Sequence, residues 1–155
     1  MAENPVILVA EDEETDVLML RDALAKCGSP HELQVVEDGE SVVDYLTGVG
    51  IYTDRRRYRC PKLLLMDIKL PRRSGLEVLQ WLRTQPGLRR LPVVILTSSF
   101  QARDIDAAYD LGVSSYLVKP MGLDALTQVM STFSRYWLHL NRTPDIPFNP
   151  PGDAP

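Results

Sequence analysis

Five short apolar runs punctuate the chain: Val6-Ile7-Leu8-Val9-Ala10, Leu33 to Val36, Leu63-Leu64-Leu65-Met66, Val93-Val94-Ile95-Leu96 and Tyr116-Leu117-Val118. Each is too short for a helix and rich in branched or aliphatic side chains, so each reads as a strand. Runs that are continuously apolar, rather than alternating, suit a parallel sheet covered on both faces. Between them apolar residues recur at helical spacing. The stripes are Val17, Leu20 and Leu24; Val42, Val43 and Leu46; Leu76, Leu79 and Leu82; Ile105, Ala108 and Tyr109; and Leu123, Leu126, Met130, Phe133 and Trp137.

The punctuation agrees with that reading. Thr15 and Asp16 suit the capped or charged start of the first helix, and Gly28 its end. Asp38 is placed as the N-cap of the second, Pro86-Gly87 ends the third and Gly112 closes the fourth. The fourth stripe is weak, so that helix should pack lightly. Gly48 to Pro61 reads as a long polar connection holding Arg55-Arg56-Arg57 and Tyr58-Arg59. Asn141 to Pro155, with five prolines, reads as an irregular tail beyond a domain spanning 5–140.

Strand and helix patterns alternate five times, which implies an α/β, doubly wound parallel sheet with right-handed crossovers. In such a sheet every strand's C-terminus points to one edge, where ligands bind. Glu11, Asp12, Asp67, Thr97 and Lys119 each follow a strand, so the fold should gather them there.

At 155 residues, 45% hydrophobic and 25% charged, the chain has the makings of one ordinary globular core. Cys27 and Cys60 lack metal-ligand spacing and read as free thiols. No signal sequence is visible and no apolar run nears the ~20 residues of a membrane span. A cytoplasmic protein is expected, with no membrane partner. The net charge of −4 offers no general attraction to nucleic acid, and Arg55-Arg56-Arg57 and Arg89-Arg90 read as solvated loop charge.

Three clustered carboxylates repel one another unless a cation intervenes. Oxygen-only donors favour a hard ion, so Mg²⁺ is expected on Glu11, Asp12 and Asp67. A carboxylate can attack phosphorus to give an aspartyl phosphate. Lys119 and the Thr97 hydroxyl would then face the phosphoryl oxygens. Each residue alone has a blander reading: acids as helix-start charges, Thr97 as a loop cap, Lys119 as a solvated strand end, Asp67 as a turn former. Their conjunction on four strand ends argues against coincidence.

The acid pair Glu11-Asp12, the Leu-Met-Asp67-Ile-Lys-Leu-Pro segment, Thr97-Ser98-Ser99 and Lys119-Pro120 together resemble the receiver domain of two-component response regulators, over about Pro5 to Leu138. The resemblance implies a flavodoxin-like five-stranded sheet of order 2-1-3-4-5 with five helices. It implies that Asp67 accepts a phosphoryl group from the phosphohistidine of a sensor kinase or a phosphotransfer protein. Mg²⁺ would take Glu11, Asp12, Asp67 and the backbone carbonyl of Lys69, and the Lys119–Pro120 bond would be cis. Thr97 would move toward the phosphate as Tyr116 turns inward, altering the surface of the fourth helix, fifth strand and fifth helix. A phosphoacceptor of this kind is not an enzyme, beyond a slow self-dephosphorylation.

With no output domain after Leu140, a stand-alone receiver is expected. The long connector and Thr-Ser-Ser resemble the small regulators of bacterial phytochrome histidine kinases. A homodimer through helix 4, strand 5 and helix 5 follows, with Phe133, Tyr136 and Trp137 as anchors, Phe133 and Trp137 reading equally as core. Glu11 departs from the commoner Asp, Ser74 from a frequent acid, and Lys69 and Ser99 hold positions that tune hydrolysis. Two other readings compete. A haloacid-dehalogenase-type phosphatase would want a second Asp where Lys69 stands. A receiver-like binding module that is never phosphorylated would lack one of the site residues, and all are present.

Overall fold

A computed structural model describes residues 4–28 and 30–146. Its elements alternate as the apolar pattern requires: β1 (Val6–Ala10), α1 (Glu14–Lys26), β2 (Glu32–Val36), α2 (Gly39–Thr47), β3 (Leu63–Met66), α3 (Gly75–Thr84), β4 (Val93–Thr97), α4 (Ala102–Asp110), β5 (Ser115–Val118) and α5 (Leu123–Ser134). All strand pairs are parallel, in the order β2-β1-β3-β4-β5. This is the flavodoxin-like arrangement expected.

Side chains alternate across the sheet and so divide its core in two. Leu8, Ala10, Leu64, Met66, Val93 and Ile95 pack with α2 and α3 on one face. Ile7, Val9, Leu63, Leu65, Val94 and Leu96 pack with α1 and α5 on the other. β1, β3 and β4 are wholly buried, as their unbroken apolar runs demand. Asp38 caps α2, accepting from the Ser41 amide at 2.7 Å, and Ser74 caps α3, accepting from the Glu77 amide at 3.2 Å. In α4 only Ala108 is buried, so the light packing expected there holds; Tyr109 is exposed and takes no part in a core stripe.

The connector after α2 is more ordered than its polarity suggests. A 3-10 turn at Gly50–Thr53 brings Tyr52 and Tyr58 against Tyr45, with ring centroids 4.9 to 5.8 Å apart. The Tyr45 hydroxyl donates to the Arg59 carbonyl at 2.7 Å, and Arg55 donates to the Tyr45 and Leu46 carbonyls that end α2. A helix end leaves such carbonyls without partners, and a guanidinium satisfies two at once. Arg55 is therefore a helix cap rather than free loop charge.

The last helix also differs. Regular α-helix stops at Ser134, and Arg135–Leu140 continues as a wider π turn. Phe133 is core, Trp137 is half-buried and Tyr136 is half exposed, its ring 5.0 Å from that of Trp137. Asn141 to Ile146 form no regular element, and Ile146 packs back onto the α2–α3 side of the core; the rest of the expected tail lies outside the described residues. Cys27 and Cys60 are free thiols. Among the described residues, no peptide bond is cis, including Lys119–Pro120, and no helix is long and apolar enough to cross a membrane. For an X–Pro bond the two isomers lie close in energy, and trans is the ordinary one.

One close approach fixes the loop behind the sheet edge. A Cβ on Gly39 would lie 1.9 Å from the Arg73 carbonyl oxygen. Gly39→Ala should therefore destabilise the fold by about 2–4 kcal/mol in urea unfolding. Gly50→Ala, at φ +65° with open space around it, should cost only the left-handed backbone penalty of about 1–2 kcal/mol. A milder effect at Gly39 than at Gly50 would contradict this packing.

Candidate functional site

The hydrogen-bond ladder of the sheet runs one rung beyond the regular strands. The Glu11 amide donates to Val36 O (3.0 Å), that of Asp67 to Ala10 O (3.1 Å) and that of Lys119 to Thr97 O (2.7 Å). Glu11, Asp67 and Lys119 are thus held on rigid backbone at the C-terminal edge. Extending the side-chain alternation by one residue puts all three on the α1–α5 face, with Val9, Leu65 and Leu117. Thr97 and Tyr116 have the opposite parity and belong to the other face.

The result is a charge cluster centred on Lys119. Its Nζ donates to Glu11 Oε1 in a short bond, to Asp67 Oδ2 at 2.9 Å and to Asp16 Oδ2 at 2.9 Å. Glu11 and Asp67 are buried, Lys119 is mostly buried and Asp16 is half exposed. Burial alone would lower the Lys119 pKa, but its hydrogen bonds to Glu11, Asp16 and Asp67 outweigh that and hold it above the ordinary lysine value. Burial pushes Glu11 above the usual carboxylate range, and the bonds from Lys119 and the Glu13 amide only partly offset it. Partial compensation is what a buried ion pair gives when water has been removed from both partners.

The other expected residues lie around this centre. Asp12 is exposed on the β1–α1 loop. The Lys69 amide donates to Asp67 Oδ1 at 3.2 Å, which orients the carboxylate from the loop side, while its side chain is exposed. Gly75 lets that loop close tightly, since a Cβ there would lie 2.3 Å from the Asp67 carbonyl oxygen. Thr97 is buried at the end of β4, its Oγ1 accepting from the Ser99 amide at 3.4 Å. The Tyr116 hydroxyl donates to the Ser99 carbonyl at 3.0 Å, and Ser99 Oγ donates to Asp104 at 2.5 Å. The β4–α4 loop is therefore fastened to both β5 and α4.

The donor chemistry fits a hard divalent ion: Glu11, Asp12 and Asp67 offer only carboxylate oxygens. Among the described residues, no three acid, His or Cys groups converge as a ready-made cage. The ammonium of Lys119 lies between Glu11 and Asp67 and answers their repulsion. Asp16 is the participant that sequence reasoning missed, having been assigned only to the helix start; its place in the first turn of α1, four residues after Asp12, was the available signal.

The raised Glu11 pKa has a consequence for stability. A group that binds its proton more tightly in the folded state contributes stability below its unfolded pKa, and that contribution is lost as pH rises through the folded value. Glu11→Gln should therefore flatten the fall of the metal-free thermal midpoint between pH 4 and pH 8, whatever the loss of its bond to Lys119 costs at both. A slope as steep as that of the wild type would contradict the assignment.

Known proteins give the arrangement its context. Residues 7–131 match the response regulator receiver domain. The response regulator Rcp1 of Synechocystis is 36% identical over 87% of this chain and 91% of its own length. The phosphorylated cyanobacterial phytochrome response regulator RcpA superposes with a TM-score of 0.85 at 34% identity, over 92% of this chain and 99% of that one. The Mn²⁺-bound form of Rcp1 gives 0.82 at 33% identity, over 91% and 99%. The chain belongs to the response regulator receiver family of two-component systems, as a homologue of the single-domain phytochrome response regulators.

Proposed function

We propose that Asp67 is the phosphoacceptor of a single-domain response regulator spanning 5–140, served by a histidine kinase of the phytochrome type or by a phosphotransfer protein. The observation that carries this reading is the Lys119 ammonium, 2.9 Å from Asp67 Oδ2, on a carboxylate fixed by its own backbone rung. In the transfer a carboxylate oxygen of Asp67 bonds to phosphorus. The phosphorus–nitrogen bond of the phosphohistidine breaks, and its electron pair leaves on the imidazole nitrogen. Such reactions depend on positioning and charge neutralisation more than on covalent help from the protein.

Lys119 supplies a fixed positive charge for the phosphoryl oxygens, and the Thr97 hydroxyl a hydrogen bond from the far side. Glu11, Asp12, Asp67 and the Lys69 carbonyl would hold Mg²⁺, which neutralises phosphoryl charge when bound. The Mn²⁺-bound relative supports a divalent ion at this edge. The acyl phosphate on Asp67, carrying about −2 in place of the carboxylate's −1, would draw Thr97 inward. Tyr116, whose hydroxyl now rests on the Ser99 carbonyl, would follow as the β4–α4 loop moves. A slow loss of the phosphoryl group to water and a cytoplasmic location, where ATP feeds the donor kinase, go with this reading.

The output is a protein contact. Half-exposed Tyr136, with Leu117, Val129, Phe133 and Trp137, lines a groove of about 830 Å³ beside β5 and α5, which suits a homodimer through α4, β5 and α5. Sedimentation should show a dimer that Tyr136→Glu shifts toward monomer; an unchanged distribution would locate the interface elsewhere.

Incubation with acetyl phosphate and Mg²⁺ tests the chemistry. Intact mass should rise by one phosphoryl group, and should not rise without Mg²⁺ or in Asp67→Asn. An unmodified wild type, with a known receiver reacting in parallel, would favour a binding module that is never phosphorylated.

A further inference from the structure

The carboxylate cluster contains one member that the proposed reaction does not use. An ammonium has three N–H donors, and in Lys119 all are taken, by Glu11, Asp67 and Asp16. Glu11 and Asp67 stand on adjacent strand ends and are the groups the chemistry draws on, one toward the cation and one toward phosphorus. Asp16 stands on α1, and nothing in the reaction competes for it. It is also the most exposed of the three, at 39%, so solvent screens much of its Coulombic attraction. What it supplies is direction. The cleft between Asp16 and Lys119 is a cavity of about 60 Å³ walled by Met19, Leu20, Leu96 and Leu126, which confine the lysine stem from the apolar side.

We propose that Asp16 is a positioning residue for the phosphoryl transfer. It pins Lys119 to α1, so that a donor stays aimed at Asp67 while Glu11 and Asp67 are engaged elsewhere. The proposal rests on the reading of Asp67 as phosphoacceptor. A lysine side chain is a flexible four-carbon stem carrying a compact charge. Untethered, it spreads over rotamers and faces the phosphoryl group in fewer encounters. The competing role for Asp16 is a helix-start charge on the α1 dipole, which would affect stability alone.

Asp16→Ala and Asp16→Asn separate the two roles, because Asn keeps an acceptor oxygen where Ala has none. Three quantities are read: the rate of acyl phosphate formation from acetyl phosphate at saturating Mg²⁺, the thermal midpoint, and the ¹⁵N NMR signal of the Lys119 ammonium in metal-free protein, assigned with Lys119→Arg. The Ala variant should form acyl phosphate roughly tenfold more slowly and lose the signal of an immobilised ammonium. The Asn variant should recover most of the rate and the signal. A folded Ala variant with wild-type rate, or with the Lys119 signal intact, would overturn the proposal. So would equal slowing in both variants that tracks a lowered midpoint. A wild type that accepts no phosphoryl group would defeat the Asp67 reading alone, since the ammonium signal reports the Asp16 tether independently.

Discussion

Ionised carboxylates gathered at one sheet edge repel one another unless a cation lies among them. In this chain that cation is the Lys119 ammonium, which donates to Glu11, Asp16 and Asp67. The constraint reaches down into the fold. The three strand-end residues share one face only because their amides continue the ladder by one rung and their parity matches that of Val9, Leu65 and Leu117. The apolar strands beneath are rigid because both faces are covered, and that rigidity fixes the charges.

The two faces divide the work. Glu11, Asp67, Lys119 and Asp16 lie toward α1 and α5 and hold the charge. Thr97 and Tyr116 lie toward the other face, where the Ser99 carbonyl and the Ser99–Asp104 bond fasten the β4–α4 loop. A change of charge at Asp67 has a short route across the edge to that loop. On the proposed reading it would continue to α4, of which only Ala108 is buried, so little packing would oppose a displacement.

Much of this was legible in the residues. Short unbroken apolar runs gave β1, β3 and β4 because a strand buried on both faces tolerates nothing else there. Asp67 and Lys119 were legible because each follows such a run directly. Asp16 was hidden, since a first-turn acid looks like a dipole charge until the tertiary fold places it beside a lysine 103 positions away. The connector was hidden for a related reason. Its order comes from Tyr45, Tyr52 and Tyr58 meeting edge-on and from Arg55 capping α2, contacts that no local periodicity encodes. The π turn after Ser134 likewise leaves the apolar stripe of α5 unchanged in sequence while altering which residues stay buried.

The most direct test of the central claim is to locate the phosphoryl group on the chain. Borohydride reduction of an aspartyl phosphate leaves homoserine, which peptide mass mapping can place. Homoserine is expected at position 67 of acetyl-phosphate-treated protein, formed only with divalent metal present. Homoserine at another acidic position, or phosphate on a hydroxyl or imidazole instead, would contradict it.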